Sequence, residues 1–204
     1  VDPNLADEDG ETPLWTAANQ GRDRCVEVLL ADARVDPNLT AANGVTPLYS
    51  AANLGEDRCV ELLLADARVD PNLTNEDGET PLFAAANQDR DRCVELLLAD
   101  ERVDVSRAHN SGTTPLVSAC IQLMNSMDRV GATDGKDPTR CFVLMLKSRR
   151  IPIQNLAHSI AFLRRAMPTR RDVTRAEVGI TPLAQNQKMA RLVVPVLEAQ
   201  LKGE

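Results

Sequence analysis

The apolar positions of this chain fall in short clusters at helical spacing, separated by turn-forming residues. Leu14, Ala17 and Ala18 make one narrow stripe, and Cys25, Val26, Val28, Leu29 and Leu30 make a second. Thr12 precedes Pro13, so its hydroxyl is placed to cap a helix at whose first position proline's missing N–H costs nothing. Gly21 allows a tight break, and Asp23 stands where a second helix would begin, favoured by the dipole there. After Ala31–Arg34, the stretch Val35-Asp36-Pro37-Asn38 leads through turn-forming residues to Asn43-Gly44, a good hairpin-tip pair. The pattern predicts a unit of helix, turn, helix and projecting hairpin.

That unit is written three times, as Val1–Arg34, Val35–Arg68 and Val69–Arg102. The first two copies agree at 24 of 34 positions and the first and third at 27, too many for chance. A period of this length predicts a solenoid, in which each unit buries its apolar face against its neighbours. Function is then expected on an extended surface rather than in a catalytic pocket. A fourth unit restarts at Thr114-Pro115-Leu116, and its second helix at Thr139-Arg140-Cys141. The threonine-to-cysteine spacing is 13 residues in the first unit and 27 here, which implies a 14-residue insertion near 122–138. Asp137-Pro138 reads as a helix restart. Farther on, Asn155–Met167 reads as a helix and Pro168–Val178 as a basic polar loop, and Thr181-Pro182-Leu183 starts another helix. This end suits a C-terminal cap.

Thr12-Pro13-Leu14-x-x-Ala17-Ala18, the Asp9-Gly10 before it and the Val-x-x-Leu-Leu run after it resemble the ankyrin repeat. The resemblance implies a mainly α fold, a right-handed ankyrin-type solenoid of helix-turn-helix units with projecting β-hairpin loops. Residues 1–204 then form one domain, with repeats 1–34, 35–68, 69–102 and 103–150 and a divergent C-terminal repeat or cap over 151–204. It also implies that hairpin tips and first helices make a concave, partner-binding side. Two departures stand out. The unit is one residue longer than the usual period, and the position after Thr-Pro-Leu, usually histidine, holds Trp15, Tyr49, Phe83 and Val117. Asn38 and Asn72 stand where ankyrin-type proteins can be hydroxylated, although proline precedes each.

Charge and cysteine usage narrow the partners. The net charge of −7 divides into −14 over residues 1–102 and +7 over residues 103–204. An acidic solenoid disfavours nucleic acid, whose binding needs phosphate neutralisation, and favours basic or neutral protein partners. Cys25, Cys59 and Cys93 recur at one repeat spacing, which puts them on adjacent helices about 8–10 Å apart. That exceeds the roughly 7 Å reach of a disulfide, so they are expected as small buried hydrophobes in a reducing compartment. The longest apolar runs, CFVLML and LVVPVL, are too short to span a membrane, and no signal peptide is visible. The expectation is a cytoplasmic or nuclear chain, not secreted, and the sequons at Asn38 and Asn72 are discounted accordingly. The chain opens without methionine at the first residue of a repeat, so it reads as a piece of a longer protein. Its first unit would then show a face that a neighbour should cover.

Nothing in the sequence assembles a catalytic site. His109, His158, Cys120 and Cys141 have no third partner motif and no oxyanion-hole signature. Paired zinc-ligand spacings, a complete calcium loop and a glycine-rich phosphate loop are all missing. No cofactor, no metal and no enzymatic role are expected.

The first two repeats differ at ten positions, and eight of these lie between positions 6 and 20 of the unit. The framework was copied while the tips and first helices diverged, so those regions are the candidate site. Asp7, Glu8, Asp9 and Glu11 make the first tip acidic, and Glu76, Asp77 and Glu79 do so in the third. Ala42, Asn43 and Val45 leave the second neutral, and Asn110 and Thr113 belong to the fourth. Trp15, Tyr49 and Phe83 are either binding anchors or fillers between hairpin and helix. The expected partner is a protein or peptide with basic residues around a less polar centre. Head-to-tail self-association stays open, as do a scaffold segment of a larger enzyme and a binder of acidic partners or nucleic acid. The last would act through Arg149-Arg150, Arg164-Arg165 and Arg170-Arg171.

Overall fold

The computed structural model describes residues 2–127, 140–148, 150, 151 and 157. Over these residues helices follow in pairs: α1 (Pro13–Asn19) with α2 (Asp23–Leu30), α3 (Pro47–Leu54) with α4 (Asp57–Ala65), α5 (Pro81–Asn87) with α6 (Asp91–Ala99), and α7 (Pro115–Met127) with α8 (Arg140–Lys147). Each first helix starts at a threonine whose hydroxyl accepts the amide three residues on. Thr12 accepts from Trp15 at 3.2 Å, Thr46 from Tyr49 at 3.1 Å, Thr80 from Phe83 at 3.1 Å and Thr114 from Val117 at 3.4 Å. All four threonines are buried, so the cap also satisfies a hydroxyl that water cannot reach.

The first helices pack in one row, α1 on α3 on α5 on α7, and the second helices in another, α2 on α4 on α6 on α8. Leu14, Leu48, Leu82 and Leu116 repeat in register and are essentially fully buried. The alanines at Ala17, Ala18, Ala51, Ala52, Ala85 and Ala86 let neighbouring first helices approach closely. Val26, Val60 and Val94 do the same task in the second row and are also fully buried. Truncating one of these leucines to alanine costs on the order of 2–5 kcal/mol, more than any single surface contact described below.

Cys59, Cys93 and Cys141 are buried at the starts of successive second helices, where the Cys93 thiol donates to Asp57 and the Cys141 thiol to Asp91, each at 3.1 Å. Cys25 departs from the expectation of burial and is exposed. Its equivalents face the preceding unit, and it lies on the outer end of the stack. Burial pushes the Cys59 thiol up to about 11 and the Cys120 thiol to about 12.

Polar clamps tie each unit to the next along the outer rim. The Asn4 carboxamide donates to the Arg34 carbonyl and accepts from the Asp36 amide, both at 2.8 Å. Asn38 repeats this with Arg68 and Asp70, and Asn72 with Arg102 and Asp104. The two asparagines read as sequons are therefore structural clamps with both amide groups engaged. Arg68 donates to the carbonyls of Leu30 and Val35 at 2.7 and 3.0 Å, and Arg102 to those of Leu64 and Val69 at 2.6 and 3.0 Å. These are exit carbonyls that a second helix cannot satisfy itself. Arg150 takes the same role in the fourth unit, donating to the carbonyls of Leu98, Asp100, Glu101 and Val103. Its guanidinium is thus committed to stacking, which corrects its reading as half of a free basic pair. Arg149, Arg164, Arg165, Arg170, Arg171, His158, the insertion beyond residue 127 and the proposed C-terminal helices lie outside the described residues.

The projecting loops differ from the expected β-hairpins. No strand occurs among the described residues. Each loop holds two internal backbone hydrogen bonds, a closing one and one from its glycine amide back to its first carbonyl, and other amides turn to side chains or to the neighbouring loop, so no ladder develops.

Asp66 and Asp100 carboxyls are held below the usual carboxylate range, chiefly by the side-chain hydrogen bonds of Arg68 and Arg102. A depressed folded-state pKa adds stability at pH values above the ordinary carboxylate range, and this is lost as pH falls through the folded value. Asp100→Asn is expected to lower the urea midpoint at pH 7 and to flatten the acid limb of a stability profile below about pH 4. Arg102→Ala is expected to cost about 1–2 kcal/mol in the same assay at pH 7.

Candidate partner-binding face

The tips are built alike from the backbone outward. Closing bonds run from the Asp7 amide to the Glu11 carbonyl (3.1 Å), Ala41 to Val45 (3.0 Å), Asn75 to Glu79 (3.1 Å) and His109 to Thr113 (2.9 Å). In three tips the first side chain caps the turn from within. Asp7 Oδ1 accepts from the Asp9 and Glu11 amides, Asn75 Oδ1 from those of Asp77 and Glu79, and His109 Nδ1 from that of Ser111. Ala41 has no acceptor, and the second tip instead makes a single 3-10 turn, Ala42–Gly44, with Asn43 left-handed at φ 62°. Gly44, at φ 74°, is required twice over: a Cβ there would be strained and would sit 3.3 Å from Asn75 Cα in the next tip.

Successive tips are joined. The Ala42 amide donates to the Asp9 carbonyl, the Glu76 amide to the Asn43 carbonyl and the Asn110 amide to the Asp77 carbonyl, each at 3.0 Å. The four tips thus form one continuous ledge with a backbone bond at every joint. Along it the side chains of Asp7, Glu8, Asp9, Ala42, Asn43, Glu76, Asp77 and Asn110 are exposed. The Asn110 carboxamide also donates to the Glu76 carbonyl at 2.9 Å. Glu11, Val45, Glu79 and Thr113 are half-buried against the helices behind. Partial desolvation, then the charges of Asp7 and Asp9, raise the Glu11 carboxyl above its ordinary range, as expected where like charges crowd.

The aromatic row joins first helix to next tip. The Tyr49 hydroxyl donates to Glu79 Oε2 at 2.5 Å, and the Asn75 carboxamide donates to the same oxygen at 3.0 Å. Desolvation, then Glu79, raise the Tyr49 pKa, so it stays a donor at all ordinary pH values. Phe83 is buried and stacks on His109 with ring centroids 5.5 Å apart. Trp15 stands alone in this series: its indole N–H is buried with no hydrogen-bond partner. The position equivalent to Glu79 in the second unit is Val45, which offers no acceptor. Tyr49, Glu79 and Phe83 are thus engaged by neighbours within the stack, while Glu8, Asp9, Glu76 and Asp77 are exposed acidic groups.

Among the described residues, His109 and the thiols of Cys120 and Cys141 do not come together as a catalytic pair. His109 is engaged in the fourth tip, whereas Cys120 and Cys141 are buried between helices. Asp89, Asp91 and Cys141 place one ligand atom each within 4.8 Å of one another. Burial, then Asp91, raise the Cys141 thiol far above the thiolate range, and the same Cys–Asp contact recurs at Cys93 and Asp57. The Cys141–Asp91 part of the cluster repeats the contact of the preceding joint.

Tyr49→Phe leaves Glu79 and Asn75 without the hydroxyl and is expected to cost about 1 kcal/mol in urea unfolding. Trp15→Phe removes an unmatched donor instead, so its cost is expected to stay below that of Trp15→Ala by about 2 kcal/mol or more.

No helix among the described residues is long and apolar enough to cross a membrane. No curated protein matches the chain. A family model for ankyrin repeats (3 copies) matches residues 1–74 and 55–129, well over half of the sequence. With the capped helix pairs, the stacked rows and the ledge of tips in place, the chain belongs to the ankyrin-repeat family.

Proposed function

We propose that this chain is a non-enzymatic recognition module, binding a partner protein or peptide along the concave face made by its tips and first helices. Ankyrin repeats in general are protein–protein interaction modules. The observation that carries the finer reading is the arrangement of outward side chains on a hydrogen-bonded ledge. Glu8 and Asp9 at one point and Glu76 and Asp77 at another flank the neutral Ala42 and Asn43. A partner segment with basic residues on either side of a less polar centre matches that order. A ledge whose joints are already bonded loses little conformational freedom on binding, so more of the contact energy appears as affinity. Arg150, being bound to four carbonyls, gives no support to a basic surface for acidic partners or nucleic acid.

A panel of synthetic peptides with lysine-rich ends and an apolar middle provides the test, by fluorescence anisotropy at low and high salt. Reversing Glu8, Asp9, Glu76 and Asp77 to lysine is expected to weaken the best binder at least tenfold, since exposed pairs contribute about 0.2–1 kcal/mol each. The melting curve should hold, because none of the four side chains braces the fold. Affinity indifferent to both the reversal and salt would remove the basic partner from consideration.

A further inference from the structure

Between neighbouring first helices runs a ladder of side-chain hydrogen bonds, and it is broken at one joint. Ser50 Oγ donates to Asn19 Oδ1 at 2.8 Å, and Ser118 Oγ donates to Asn87 Oδ1 at 3.1 Å. The Gln122 carboxamide reaches the same Asn87 oxygen at 3.1 Å. In the joint between these two the serine position holds Ala84, which is buried and has nothing to donate. Among the described residues, none hydrogen-bonds the Asn53 carboxamide, and its polar atoms are open to solvent.

The next residue departs from the pattern as well. Leu54 stands where the other units have Gln20, Gln88 and Gln122, and it is 40% exposed. Among the described residues of the first helices it is the exposed large apolar side chain. The tip of the same unit carries no acid, reading Ala42-Asn43 between Glu8-Asp9 and Glu76-Asp77. The second unit is thus the less polar one at both ends of its first helix, with an acidic tip on either side.

The spacing of these features specifies what would fit them. Neighbouring first helices lie about 10 Å apart, so the two acidic tips are about 20 Å apart, the span of about six residues of extended strand. Residues six apart in a strand share a face, and the residue midway, three from each, points to the opposite one. Leu54 ends the eight-residue α3, about 12 Å from its start and across from the tips. We propose that this face takes an extended peptide segment in which one leucine-sized apolar residue stands three residues from a lysine or arginine on either side. The basic residues turn to the acidic tips, and the apolar one turns the other way onto Leu54. Asn53 holds the backbone of the segment, donating to one carbonyl and accepting the amide two residues on, as Asn38 does with Arg68 and Asp70. This rests on the basic partner proposed for the ledge of tips and adds its conformation and spacing.

Two fluorescein-labelled peptides of one composition test it, by anisotropy with the full chain. In the first, leucine stands three residues from each of two lysines. In the second it stands two residues from one and four from the other, which turns it to the lysine side. The first is expected to bind at least roughly fivefold tighter, and Leu54→Gln should erase the difference. Asn53→Ala should weaken the first at least roughly threefold, as should Ala84→Ser, which restores the ladder and engages the Asn53 oxygen. Neither should lower the urea midpoint. Equal affinity for the two peptides, or affinity that Leu54→Gln and Asn53→Ala leave unchanged, would overturn the proposal. The basic partner survives that result if reversing the acidic tips to lysine still weakens both peptides. Binding that ignores the tips, or none by either peptide, removes the two readings together.

Discussion

Everything in this molecule depends on groups that one unit cannot satisfy alone. A second helix here is eight or nine residues long and ends with carbonyls that have no partner within it. The guanidinium that reaches them comes from the next unit, in Arg68, Arg102 and Arg150. The carboxamides of Asn4, Asn38 and Asn72 reach the other way, to the amide and carbonyl where the next unit begins. Helices this short are marginal in isolation, so their stability is a property of joints. The leucine row supplies most of the free energy and the polar clamps set the register. Apolar contact alone would tolerate sliding, whereas a bidentate carboxamide does not.

What could be read from the sequence follows from which interactions are local. The Thr-Pro-Leu starts, the alanine stripes and the period are recorded within one unit, and the capped helices sit where that pattern puts them. Arg150 was harder, because its role is defined by carbonyls about fifty residues earlier. One signal did exist: it lies nine residues after Cys141, as Arg34 lies nine after Cys25. Cys25 misled for a related reason. Its neighbours in the sequence match those of Cys59 and Cys93, and only its place at the end of the stack distinguishes it. Glu79 likewise looked like its acidic neighbours in the tip, and its difference comes from Tyr49 in the unit before. The hairpin expectation rested on Asn43-Gly44, a pair that here serves a single turn whose outer amide is turned to the neighbouring tip.

The same joints limit where the ledge of tips can vary. Within a tip the first residue caps the turn or forces a 3-10 alternative, the glycine is needed for its left-handed backbone, and the last residue packs against the helix behind. In the third unit that last residue, Glu79, also anchors Tyr49 and Asn75. Two positions per tip stay free of such duties in their side chains, and they read Glu8-Asp9, Ala42-Asn43 and Glu76-Asp77 along the first three units. Their backbones, by contrast, carry the bonds between tips. Spacing along the ledge is therefore held by main chain while its chemistry is written in side chains. Side chains at these positions can be exchanged at little cost to the stack, which is how three copies of one framework come to display different tips.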